Sequence, residues 1–148
     1  MTNSIVFLVA RILLAVMFIM SGFGKLADPG MTAGMIQGAG MPAATTLAYL
    51  AGVFELVSGL AVLVGFQTRI AAVLLALFCL FTAFVFHSGA INIPGFSPEA
   101  NGMLTVFNSI MMFKNITLAG AYILLAAVGA GEISVDARLG SGAKPLAA

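Results

Sequence analysis

Apolar residues run along this chain in four long stretches, separated by short clusters of glycine, proline and polar residues. The first covers about residues 4–23, the second 43–66, the third 69–87 and the fourth 103–128. Each is close to the roughly 20 residues that cross a hydrocarbon core of about 30 Å as a helix. Backbone groups in lipid have no water to bond, so such stretches close their hydrogen bonds internally and are helices rather than strands. The pattern predicts an all-α, four-transmembrane-helix bundle. The last stretch is long enough to span with tilt or to begin as an interfacial turn.

Helix breakers set the links. Asp28-Pro29-Gly30 ends the first helix, and the run from Gly38 to Pro42 precedes the second. Between them, residues 31–37 are apolar and short, as expected of an interfacial or re-entrant turn. Gly65-Phe66-Gln67-Thr68 is a tight link, so the second and third helices should be antiparallel neighbours. The third link, residues 88–102, holds Pro94, Gly95, Pro98 and Gly102. No repeat or low-complexity run interrupts this order. The reading is one membrane domain over residues 1–130 and a short polar tail over 131–148.

Composition agrees. Of 148 residues, 61% are hydrophobic and only 7% charged, against roughly a quarter charged in a soluble domain. Lipid must therefore be the main partner of the surface. A net charge of +1 provides no basic footprint for nucleic acid. The one cysteine, Cys79, cannot form an intrachain disulfide or a CxxC pair, which excludes relays through cysteine pairs. It reads as a small packing residue. The first stretch has an arginine within it, no basic start and no A-x-A site, so a retained helix is expected rather than a cleaved signal peptide.

An even number of spans puts both termini on one side. That side carries Arg69, Arg138 and Lys144, with Arg11 close by, and the other carries Lys25 outside the apolar runs. Positive-inside counting places both termini in the cytoplasm.

Ionisable residues inside a span cost roughly 2.5–3.5 kcal/mol each on insertion scales and are functional candidates by default. Arg11, Glu55 and Lys114 are of this kind. Arg11 and Glu55 fall at similar depths, roughly 10 and 15 Å from the cytoplasmic ends of their helices at 1.5 Å per residue. An Arg11–Glu55 ion pair facing the bundle interior is expected, either as a clamp on helix register or as a working site. Ala48, Gly52, Glu55 and Gly59 share one face, as do Arg11, Ala15, Phe18 and Gly22, and small residues let helices approach closely.

A second cluster is expected near the outer face, from Lys25 at the end of the first helix, His87 at the end of the third, and Lys114 and Asn115 in the fourth. Asn108, Asn115 and Tyr122 recur every seven residues and belong against another helix rather than lipid. A basic, hydrogen-bonding pocket at membrane depth suits a polar ring such as a quinone head group, or an anion. Histidine exchanges protons near neutral pH, and the bland alternative for the lysines is snorkelling. Phe78, Phe81, Phe84 and Phe86 read as lipid-facing or packing residues. With one histidine, no metal or haem site is expected. No GxSxG elbow, P-loop or HExxH is present.

At these residues the chain resembles the DoxX family of small bacterial membrane proteins. The resemblance rests on ARILLAVMFIMSGFGKLADP, FELVSGLAVLVGFQTRIAAVLLALFCLFTAFVFH and MMFKNITLAGAYILLAAVGAGEISVD, which together cover most of the chain. It implies a multi-pass bacterial inner-membrane bundle linked to terminal quinol oxidation or thiosulfate:quinone oxidoreduction, or to complexes that answer oxidative and thiol stress. Glu55, His87, Lys114, Asn115, Arg11 and Lys25 occupy matching motif positions and are the binding candidates. Fold fixes function less well than sites do.

Three functions compete. The favoured one is a redox-associated subunit that binds quinone or quinol, or docks an oxidoreductase partner. As an enzyme it would not be self-sufficient. The second is a small-solute or proton carrier, for which four helices without a repeat are few unless the chain forms a homo-oligomer. The third is a structural subunit without chemistry of its own.

Overall fold

A computed structural model describes residues 2–140; Lys144 and the rest of 141–148 lie outside the described residues. Among the described residues six helices follow one another: α1 (Thr2–Ala27), α2 (Gly30–Gly38), α3 (Ala44–Val64), α4 (Thr68–Phe86), α5 (Pro98–Val128) and α6 (Val135–Arg138). Four of them, α1, α3, α4 and α5, are long and apolar enough to cross a membrane, as the hydrophobic pattern predicts.

The breakers act as their chemistry requires. Proline disfavours a helical residue before it, and α1 stops ahead of Asp28-Pro29, where the Asp28 carboxylate accepts from Gly30 N at 2.9 Å to start α2. Residues 31–37 therefore form a short helix, which packs on α3. Gly65, at φ +73°, closes α3 with Phe66 N donating to Ala61 O at 2.9 Å, a left-handed cap that glycine adopts without strain. Ser97 caps α5 through Ala100 N, with Pro98 in its first turn. That start lies five residues ahead of the expected fourth span. At 31 residues, α5 is about 46 Å long, so it overhangs the hydrocarbon core. Asn101, Thr105 and Asn108 on the overhang bond the chain at Ile93, Ile91 and Gly89 and hold the preceding loop.

The bundle consists of two helix pairs, α1 with α3 and α4 with α5. Glycines bring the first pair together: a Cβ on Gly22 would stand 2.6 Å from Leu56 N, and one on Gly59 would stand 3.0 Å from an Ile19 side-chain carbon. The predicted faces hold, since Ala48, Gly52, Glu55 and Gly59 are buried, as are Arg11, Ala15, Phe18 and Gly22. The pairs join at the end that carries the chain start and the α3–α4 link. There the Tyr122 hydroxyl donates to Leu14 O at 2.9 Å, and Phe18 meets the Tyr122 ring edge-on. Large apolar side chains such as Leu13, Met20, Leu77 and Leu124 point outward, as a surface solvated by acyl chains requires.

The expected Arg11–Glu55 pair does not form. Arg11 is 1% exposed and its Nη2 donates to Ile133 O at 2.6 Å. Its guanidinium covers Gly65, where any Cβ would fall 1.9 Å from Nη1. Matching depths failed as a guide because α1 overhangs the α3–α4 link, and its first turns pack on residues 131–136 instead of on α3. Ser4 there bonds the Glu132 carboxylate. The segment after Gly129 is thus built into the bundle. Asp136 accepts from Gln67 N and Thr68 N at 2.8 and 2.9 Å, capping α4 from 69 residues away, where the helix has no side-chain cap of its own.

Candidate functional site

Away from the junction of the two helix pairs, the bundle forms a half-open cavity of about 620 Å³, lined by all four long helices and by α2. Phe18, Phe54 and Phe78 form its floor and one wall, with Phe54 and Phe78 centroids 5.1 Å apart. Phe81 and Phe86 also line it, whereas Phe84 does not. The expectation that these rings serve packing or lipid contact is therefore only part of the picture. From α2, Met31, Met35 and Ile36 cover the space.

Five of the six candidate residues meet here: Lys25, Glu55, His87, Lys114 and Asn115 all line the cavity. Arg11 does not, since it is held at the opposite end by the segment described above. Lys25 Nζ donates to Glu55 Oε2 at 2.9 Å and to Ser21 Oγ at 2.6 Å. One ammonium hydrogen remains, and Glu55 Oε1 has no partner among the described residues.

The α4–α5 wall is ordered by the asparagine stripe. Asn108 Nδ2 donates to Gly89 O at 2.9 Å, which turns its Oδ1 towards His87 Nδ1, 2.8 Å away. An amide oxygen only accepts, so His87 Nδ1 donates to it, and Nε2 is left to bond a ligand. One α-helical heptad later, Asn115 Nδ2 donates to Thr82 Oγ1 at 3.0 Å. That hydroxyl is already directed at the Phe78 and Cys79 carbonyls. Asn115 Oδ1 thus stays available.

Thr82, Ser21 and the methionines of α2 were not marked by the sequence. Hydroxyls and methionines inside apolar helices carry no pattern of their own until the fold sets them around one space. Cys79 is 1% exposed and touches the cavity from the packed core of α4. Among the described residues, no three of His, Cys, Asp and Glu gather where they could hold a metal ion.

This arrangement is an integral membrane four-helix bundle with a mostly apolar pocket and a few convergent polar groups at membrane depth. The chain belongs to the DoxX family, whose profile matches residues 6–88. It is 39% identical to the Inner membrane protein YqjF of Escherichia coli (strain K12) over 129 residues, 87% of this chain and 88% of that protein. It is 34% identical to the Inner membrane protein YphA of the same organism over 134 residues, 90% of each. With four spanning helices and these relatives, the protein is a multi-pass inner-membrane protein. No solved structure matches the chain.

Proposed function

We propose that this protein is a redox-associated membrane subunit whose cavity binds the head group of a quinone or quinol, with both termini in the cytoplasm. The observation that supports it is the composition of the cavity wall. Aromatic and methionine side chains line a half-open space of about 620 Å³, within the roughly 300–1,000 Å³ of small-molecule sites. Into it project Glu55, Lys25, His87, Lys114 and Asn115, a set that suits the two carbonyl or hydroxyl oxygens of a planar ring. A bound quinone supplies two-electron, two-proton chemistry. The chain's own groups bind and orient the ring, with His87 and Glu55 exchanging its protons, and the electrons come from an oxidoreductase partner.

A carrier needs a polar route through both halves of the bundle. Phe18, Leu75 and Tyr122 are buried on the floor side of the cavity, and Arg11 sits beyond them without joining Glu55. The geometry therefore favours a site with one open end.

Purification in a mild detergent, followed by solvent extraction and an absorption spectrum, tests the reading. Quinone recovered in near-equal amount to the protein, and lost in the Glu55→Gln variant, is the expected result. Wild-type protein that carries no quinone and takes up none from added ubiquinone or menaquinone overturns it, and leaves a structural subunit as the better description.

A further inference from the structure

The cavity's charges do not balance. The chain has five carboxylate side chains, and four of them are placed elsewhere. Asp28 bonds Gly30 N at the α1–α2 turn, Glu132 bonds Ser4, and Asp136 caps α4 at the opposite end of the bundle. Glu99 lies in the first turn of α5, 15 residues from Lys114 and so about 22 Å along the helix. Only Glu55 lines the cavity, and its ion pair is with Lys25. Lys114 lines the same cavity and has neither a salt bridge nor a hydrogen bond among the described residues.

Lys114 also lies within the membrane-crossing length of α5, at an exposed position beside the buried Asn115. Its neighbour Asn115 bonds Thr82, more than one helical turn before His87 at the end of α4. An ammonium at that depth without a counter-charge is costly, and a ligand that brings a negative charge removes the cost.

We propose that the occupant of this cavity is an anion in its bound form: an amphiphile with an acidic ring hydroxyl or a carboxylate on a flat apolar body, with the charged oxygen on Lys114. The inference rests on the reading that the cavity is a binding site, and it narrows the ligand class within that reading. Lys25–Glu55 is neutral as a pair and selects by hydrogen bonding. Lys114 selects by charge, with Asn115 beside it to accept from a neighbouring hydroxyl.

Three two-ring probes separate the possibilities when titrated into the purified protein in detergent: naphthoquinone, which is neutral; hydroxynaphthoquinone, whose ring hydroxyl is ionised at neutral pH; and naphthoate, an anion that is not a quinone. The wild type should bind hydroxynaphthoquinone roughly tenfold or more tightly than naphthoquinone, the scale of a charge-assisted hydrogen bond. Lys114→Gln should abolish that preference while retaining weak binding of the neutral quinone, and Lys114→Arg should restore it. Equal affinity for the two quinones in wild type and Lys114→Gln overturns the anion inference and leaves the quinone reading standing. Binding of naphthoate with neither quinone bound supports the anion inference and overturns the quinone reading. No binding of any probe overturns both. Should Lys114→Gln fail to fold, the comparison of the three probes on wild-type protein still decides.

Discussion

Lys25 Nζ stands 2.9 Å from Glu55 Oε2 across the α1–α3 interface, with the Glu55 side chain 4% exposed and that of Lys25 19%. The pair joins a residue near the end of α1 to one in the middle of α3, and it does so at the wall of the cavity. Such a pair adds little net stability over well-packed apolar groups, yet breaking it leaves one charge buried and unpaired.

The first prediction concerns that asymmetry. Glu55→Gln or Lys25→Met alone should lower stability by about 3–5 kcal/mol, read as a fall in the denaturation midpoint of the detergent-solubilised protein. The double variant should recover most of the loss. Two single effects that simply add would show that the charges are not coupled.

Gly22 and Gly24 lie two residues apart on α1 but face different surroundings. A Cβ at Gly22 meets Leu56 N and Gly52 O at 2.6 and 2.7 Å, whereas one at Gly24 meets nothing within 4 Å. Backbone atoms cannot turn aside as a side chain can. Gly22→Ala should force α1 and α3 apart and cost about 1–3 kcal/mol. Gly24→Ala should be neutral or stabilise by up to about 1 kcal/mol. Thermal denaturation of both variants in the same detergent makes the comparison, and equal losses would argue against this helix register.

Arg11 and Asp136 anchor the far end. The Asp136 carboxylate caps α4 and is the negative charge acting on the buried Arg11. Asp136→Asn keeps an oxygen for one backbone donor but removes that charge, and should destabilise the fold by about 3–5 kcal/mol. Limited proteolysis should then cut between residues 129 and 138 at a protease dose that leaves the wild type whole. Unchanged resistance would show that the segment is held by its apolar contacts instead.

Sidedness is tested by single cysteines in a Cys79→Ala background. Ala90→Cys should react with an impermeant maleimide in intact spheroplasts, and Gln67→Cys only after permeabilisation. The reverse pattern would turn the protein over in the membrane and place the cavity's polar groups towards the cytoplasm.

Much of this fold was legible from hydropathy because lipid imposes a simple rule on helix length and backbone bonding. The faces of α1 and α3 followed from helical spacing, as did the contact of Asn108, Asn115 and Tyr122 with other helices. Pairing was not legible. Arg11 and Glu55 looked level when counted from their helix ends, but the overhang of α1 displaces them by several turns, and Lys25 is the residue opposite Glu55. The role of Asp136 was hidden for a related reason: it caps α4 only because the chain after Gly129 folds back, and nothing local announces that turn. The early start of α5 was readable in Ser97-Pro98-Glu99, a helix-opening sequence that the glycines and prolines around it masked.

The central claim, that a quinone head group occupies this cavity, is tested most directly by photolabelling the protein in membranes with an azidoquinone and mapping the adducts by mass spectrometry. The account predicts labels on cavity-lining residues around Phe54, Phe78 to Thr82 and Lys114, suppressed by excess unlabelled quinone and lost in Glu55→Gln. Labels confined to outward side chains such as Leu13, Met20 and Leu124, unaffected by competitor, would contradict it.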